Sequence, residues 1–358
     1  MKVKIEKYPL IFKNPAGTSR GVLRTKNTWF VKVFEEANPN HYGLGEINMF
    51  EGLSSDDYSG FHDIITDNQG NTSCYLNDIH GSLLDFPSIR FGLEMALKDF
   101  SQSQDRILFP SDFTQGKMGI PINGLIWMGT EEAMKSQIRT KLDSGFRCLK
   151  LKIGAIDFQQ ELEILKSIRK EFNEKDLELR VDANGAFSAD NALKKLHLLS
   201  QLKLHSIEQP IKQGQLKEMK SLCEKTPLAI ALDEELIGVN HLAQKKELIE
   251  FIQPQYIILK PALIGGFKSS KEWINEAEHH NIGWWITSAL ESNVGLNAIA
   301  QWTYSLKTNN YQGLGTGQLF TNNISSPLEI DGERLFYRDN ENWEEPNFSS
   351  FRQKGLKK

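Results

Sequence analysis

The sequence predicts a (β/α) barrel preceded by an α+β domain. Three observations carry this. From about residue 118, eight short apolar strands alternate with seven amphipathic helices; polar residues stand at the ends of successive strands; and residues 1 to about 115 follow a different, mixed pattern. Eight such units in about 200 residues favour closure over an open doubly wound sheet. The expected organisation is an α+β domain over 1–115, the barrel over 116–320, and a segment, 321–358, that returns toward the N-terminal domain.

The N-terminal stretches "MKVKIEKYPL" and "TKNTWFVKVFEE" read as two antiparallel strands, the second rich in β-branched and aromatic residues. "GLGEINMFEGLSSDD" reads as a Gly-punctuated loop, and "PSIRFGLEMALKDFSQ" as a helix with Pro87 near its start. The barrel strands are then "IPINGLIWM", "CLKLKIG", "LELRVDA", "LHSIEQP", "LAIALDE", "YIILKPA", "GWWITSA" and "YQGLGTG". Helices such as "TEEAMKSQIRTKLDSG" and "DFQQELEILKSIRKEF" separate them. The polar end, "NFSSFRQKGLKK", is expected to fray.

With 358 residues and a formal net charge of -4, the chain can bury a large core and shows no basic excess that would point to nucleic acid. No stretch approaches the roughly 18 apolar residues of a membrane span, and the N-terminus has no signal-peptide pattern. Three scattered cysteines read as reduced thiols of a cytoplasmic protein. A small-molecule substrate is therefore expected; the oligomeric state stays open.

The strand ends carry the chemistry. Lys150 and Lys152 lie on strand two, Asp182 on three, Glu208 on four, Asp233 on five and Lys260 on six, spaced by about 25 to 30 residues from Lys152 onward. One βα unit per step places them around a single mouth. Side chains alternate along a strand, so Lys150 and Lys152 share a face with Cys148, opposite Leu149, Leu151 and Ile153. Three carboxylates meeting without a cation would repel, and hard oxygen donors without nearby His or Cys suit Mg2+, with Mn2+ possible. Asp182, Glu208 and Asp233 are the candidate ligands. Any one Asp at such a junction is as readily a helix cap, and a lone lysine a salt-bridge partner; the series of them points to a site. Lys152 and Lys260 would approach a metal-bound carboxylate from opposite sides, with Lys150 repelling Lys152 toward the neutral amine that a base requires.

The motifs "LKLKIG", "RVDANGAF", "SIEQP", "ALDEE" and "ILKPA", with "GLGEINMF" and "SALESNVG", resemble the enolase superfamily, in the subgroup with muconate lactonizing enzyme. The resemblance implies a modified TIM-type barrel of eight strands and seven helices under an N-terminal capping domain. It implies Asp182, Glu208 and Asp233 as metal ligands and Lys152 and Lys260 as the acid/base or electrostatic pair. One departure stands out: Glu234-Glu235 follows the third ligand where the family usually has Glu-Ser. Two loops, "KNPAGTSRG" and "GLGEINMFEG", would close the mouth, with Arg20, Asn123, Thr287, Ser288, Gly315 and Thr316 as candidate substrate contacts.

Within the subgroup, "IPINGLIWMG", "TSALESNVGLNAIAQ" and "GLGTGQLFTNN" resemble the members that dehydrate 2-succinyl-6-hydroxy-2,4-cyclohexadiene-1-carboxylate to 2-succinylbenzoate, and the resemblance implies this step of menaquinone synthesis. N-acylamino acid racemisation and dipeptide epimerisation are the alternatives, although strand eight lacks the Asp-x-Asp that grips a dipeptide ammonium. From other classes, a Schiff-base aldolase would also place a lysine near strand six, and a non-catalytic metal-binding barrel would need no opposed lysines. His205, His279 and His280 have no evident catalytic place.

Overall fold

The computed structural model describes residues 1–18, 21–66, 71–102, 105–338 and 342–346. Arg20 and the end from residue 347 lie outside the described residues.

The N-terminal unit is an antiparallel sheet of β1 (Lys2–Thr18), β2 (Gly21–Glu35) and β3 (Asn38–Ile47), with helices α1 (Ser59–Ile65) and α2 (Pro87–Ser101). Two strands were expected here and three form: most of the "GLGE" stretch taken for a loop pairs with β2, through Gly45 opposite Val31 and Glu46 opposite Phe30. Its glycines serve packing instead of a turn. A Cβ on Gly45 would collide with the Gly92 carbonyl of α2, so only glycine lets helix and strand approach this closely. Trp29, Val31, Val33, Phe61, Ile89 and Leu93 fill the core between sheet and helices.

After β4 (Ile120–Pro121) the barrel begins. Its parallel strands are β5 (Gly124–Ile126), β6 (Cys148–Lys152), β7 (Glu178–Asp182), β8 (Ser206–Glu208), β9 (Ile230–Leu232), β10 (Tyr256–Leu259) and β11 (Gly283–Ile286), hydrogen-bonded in chain order. Helices α3 (Glu131–Asp143), α4 (Phe158–Glu171), α5 (Ala189–Ser200), α6 (Leu216–Lys225), α7 (Leu242–Ile252), the short α8 (Pro261–Ile264), α9 (Gly266–His279) and α10 (Asn293–Ser305) follow in turn. The expected eighth strand is reduced to single bridges, Ile122 with Gln312 and Thr287 with Gly313, which join the first and last strands. Glycines at 313 and 315 leave this segment few side chains with which to pack as a regular strand. The expected first strand is likewise split: β4 pairs with β13 (Arg334–Tyr337) of a terminal hairpin begun by β12 (Leu328–Asp331), and only β5 enters the barrel.

Leu149, Leu151, Leu179, Val181, Ile207, Ile230, Leu232, Ile257, Leu259 and Ile286 point outward into the core beneath the helices. The alternate positions point inward, where Ala231, Ile258 and Trp285 cluster and Arg180 lies over the Trp285 ring at 4.3 Å. His205 faces the same rings, 4.9 Å from Tyr256, consistent with packing. Tyr8, Leu10, Phe12, Phe30 and Leu44 meet Leu290, Val294, Phe320 and Ile324 across the junction of the two units. No helix among the described residues is long and apolar enough to cross a membrane.

Glu94 of α2 is buried at this junction, and its carboxyl is pushed up to about 7 by burial, with the N–H groups of Phe267 and Lys268 and the charge of Arg90 opposing. The unfolded chain releases that proton near 4.5, so the native state loses relative stability as pH rises from 4.5 to about 7. Glu94→Gln should flatten the stability-versus-pH curve by about 3 kcal/mol across this window. Urea unfolding at several pH values checks this, and an unchanged slope in the variant would contradict it.

Candidate active site at the mouth of the barrel

The strand register assembles the expected residues. Lys152 of β6 is level with Asp182 of β7, which is level with Glu208 of β8. Asp233 directly follows β9 and Lys260 directly follows β10, so all five ring the C-terminal mouth. Lys150 lies one inward-facing position deeper. It donates to Glu208 Oε2 at 2.6 Å and Asp182 Oδ2 at 3.2 Å. Lys152 donates to Asp182 Oδ2 at 2.9 Å and Asn184 Oδ1 at 2.7 Å, and Lys260 pairs with Asp233. The two lysines of β6 were expected to repel each other. Instead Asp182 Oδ2 lies between them and meets both amines, and Glu208 meets Lys150 as well.

These contacts set the ionisation of the buried acids. Burial would raise Asp182, but the ammonium groups of Lys152, Lys150 and Lys260 outweigh it and hold the carboxyl below its ordinary range. Glu208 is pushed up to about 8 by burial and by the charge of Asp182, with Lys150 opposing. Asp233 is also raised, burial outweighing Lys260. Lys150 and Lys260 are both raised: burial disfavours their charge, and the carboxylates more than compensate, chiefly Glu208 for Lys150 and Asp233 for Lys260.

None of the three acids caps a following helix, the other use such residues could have had. Ser188 and Gln215 stand at the N-caps of α5 and α6, and Asp233 makes no capping bond to the turn after it. Glu208 Oε1 is buried without a hydrogen-bond partner, and Lys260 is 3.9 Å from it. Three hard oxygen donors around an unpartnered carboxylate oxygen fit a divalent cation such as Mg2+. In the present arrangement the lysine amines hold Asp182 Oδ2, Glu208 Oε2 and Asp233 Oδ2, and Asn184 N donates to Asp182 Oδ1 at 3.1 Å. Among the described residues no three acid, imidazole or thiol side chains are already gathered as a metal cluster.

A pocket of about 100 Å³ opens above this row, lined by Lys150, Lys152, Lys260 and the expected Asn123, Thr287, Ser288, Gly315 and Thr316. It adjoins a larger cavity of about 590 Å³ beneath the end of β1, which shares Asn123, Gly315 and Thr316. The Ser288 hydroxyl is engaged by Glu291 at 2.6 Å and Thr316 at 2.7 Å, whereas Thr287 Oγ1 is buried without a partner. Phe50, from the loop "GLGEINMFEG" expected to close the mouth, lines the pocket; the apolar walls formed by Leu53, Trp127 and Leu263 were not singled out in the sequence. Sequence reasoning also missed Asn184, which links Lys152 to Glu234 Oε1 at 2.9 Å; its place two residues beyond Asp182 was the available signal. The unusual Glu235 accepts from Gly214 N at 2.8 Å and Gln209 Nε2 at 3.0 Å, tying down the segment after β8.

Comparison with known proteins adds three findings. Residues 133–338 match the family described as enolase C-terminal domain-like. The chain is 48% identical, over 94% of its length and 98% of the relative's, to an o-succinylbenzoate synthase of Desulfotalea psychrophila. The crystal structure of MenC from that organism superposes with a TM-score of 0.80 at 44% identity, covering 94% of this chain and 99% of that one. The L-Ala-D/L-Glu epimerase of Bacillus subtilis shares the fold, with a TM-score of 0.78 at 18% identity over 96% and 97% of the two chains.

Proposed function

The chain belongs to the enolase C-terminal domain-like family, and from that membership we propose that it acts as an o-succinylbenzoate synthase. It removes water from 2-succinyl-6-hydroxy-2,4-cyclohexadiene-1-carboxylate to give 2-succinylbenzoate, in the cytoplasm, as a step of menaquinone synthesis. The observation that carries the chemistry is the placement of two lysine amines, on Lys152 and Lys260, at opposite ends of a row of three buried carboxylates. The N-terminal unit, taken as residues 1–115, serves as the cap over that row.

Asp182, Glu208 and Asp233 would hold Mg2+ or Mn2+, which when bound withdraws electrons from the substrate carboxylate and offsets the charge that develops there. Lys152, at the pocket wall, takes the proton from the carbon bearing that carboxylate. The electrons of the broken C–H bond pass into the carboxylate as an enediolate, then return to form the ring double bond as the C–O bond to the hydroxyl breaks. Lys152, now protonated, gives its proton to the departing hydroxyl, and water and the aromatic product result. Lys260 keeps its charge beside Asp233 and faces the ring, a cation–π contact that grows as the ring becomes aromatic. Lys150 stays an ammonium that fixes Asp182 and Glu208. The succinyl tail runs toward Asn123, Thr287, Gly315 and Thr316, where the pocket joins the larger cavity.

The test follows purified protein with Mg2+ and the cyclohexadiene carboxylate by ultraviolet absorbance, with and without chelator. Turnover that the chelator abolishes and added Mg2+ restores is expected. Turnover that persists in chelator would remove the metal from the reading. Turnover of N-acylamino acids alone would make the two lysines opposed bases of a racemase.

A further inference from the structure

Two carboxylates of the N-terminal unit are buried against barrel helices that lie far along the chain from them. Glu46, in β3, accepts from Ser292 N at 2.9 Å, Ser292 Oγ at 2.5 Å, Gly295 N at 2.9 Å and Thr28 Oγ1 at 2.8 Å. Ser292 is the N-cap of α10, so Glu46 takes up first-turn donors that the helix itself leaves unpaired. A Cβ on Gly295 would lie 2.9 Å from Glu46 Oε2, so the glycine makes room for the acid. One step on, Asn48 donates to the Ala289 carbonyl at 3.0 Å. Glu94 of α2 does the same for α9, accepting from Phe267 N at 2.5 Å and Lys268 N at 3.4 Å.

Both helices follow strands that deliver pocket residues. Lys260 directly follows β10 and Leu263 lies in the one-turn α8 that leads into α9, while Thr287, Ser288, Ala289 and Leu290 lie just ahead of α10. A carboxylate at a helix N-terminus is favoured electrostatically and fixes that end against the element carrying the acid. We propose that Glu46 and Glu94 are positioning residues through which the N-terminal unit sets the pocket: Glu46 the substrate-tail segment Thr287–Leu290, and Glu94 the backbone that carries Lys260. This rests on the dehydration reading for its kinetic consequences. It goes beyond it in making the cap part of the catalytic geometry.

Glu46→Gln and Glu94→Gln keep side-chain shape and remove the charge. Kinetics are expressed per mole of folded protein. Glu46→Gln is expected to raise KM by about tenfold with kcat within about twofold, and Glu94→Gln to lower kcat by about tenfold with KM within about twofold. A structural role alone would lower activity only in step with the folded fraction, and that result overturns the proposal. So do unchanged kinetics in both variants. Burial disfavours the Glu94 carboxylate, so at about pH 8 the Gln variant should be no less stable while its kcat falls.

Hydrogen exchange supplies a readout that needs no substrate. Amides from Ala289 to Gly295 should exchange faster in Glu46→Gln, and those from Ile264 to Lys268 faster in Glu94→Gln; unaltered exchange overturns the proposal. If Glu46→Gln does not fold, Thr28→Val removes one of the four bonds without touching the helix cap and should still speed exchange at the same amides. An inactive wild type would sink the dehydration reading, while exchange still decides the positioning roles.

Discussion

Replacing Lys152 with alanine should lower kcat by on the order of 10⁴-fold and leave the chain folded. The size follows from the proposed double use of one amine, which would first take the α-proton and then return a proton to the departing hydroxyl. Lys260 cannot substitute, because it pairs with Asp233 at the other end of the carboxylate row. The fold should survive because Asp182 keeps Lys150 at 3.2 Å when Lys152 is removed. Circular dichroism checks the fold, and slower wild-type turnover of substrate deuterated at the α-carbon checks the proton step. Wild-type turnover by the variant would end the assignment of Lys152 as base.

Glu208→Gln is expected to abolish metal-dependent turnover and to weaken Mg2+ binding by at least about 100-fold. Glu208 sits between the other two acids, so its loss divides the donor set. Its carboxyl is pushed upward by burial and by the charge of Asp182, so without the ion the native state gains little from its ionisation, and glutamine keeps its shape. Unfolding in chelator should therefore differ little between variant and wild type. Mg2+ should raise the melting temperature of the wild type alone, because only a ligand bound to the native state stabilises it. The same ionisation gives a pH dependence: binding must displace the proton, so Mg2+ affinity should fall as pH drops below about 8. Thermal melts with and without Mg2+ at several pH values test all three statements. Equal Mg2+ stabilisation of both proteins would remove Glu208 from the ligand set.

Much of the site was legible because its spacing is built from regular elements. A strand has a side-chain period of two, which put Lys150 and Lys152 on one inward face. A βα unit of about 25 to 30 residues put Asp182, Glu208, Asp233 and Lys260 at one mouth. The pocket-wall residues Thr287, Ser288, Gly315 and Thr316 came within reach for the same reason, as ends of strands seven and eight.

What the pattern misread were places where glycine has two meanings. In "GLGE" the glycines suggested a loop and instead allow β3 to lie against α2. In "YQGLGTG" they suggested nothing against a strand and in fact leave only bridges. The pairing of Lys150 with two carboxylates was missed because it depends on lateral distances across the mouth, which no spacing along the chain encodes.

The sequence by itself determined the barrel, the order of its strands and the ring of lysines and carboxylates, since each follows from local periodicity repeated along the chain. Only the tertiary structure decided which amine meets which acid, that Leu53 and Leu263 wall the pocket, and that Glu46 and Glu94 end on helices more than 170 residues away. Those outcomes depend on how two units pack against each other. Packing is fixed by shape and buried charge across the junction, and neither has a period in the sequence.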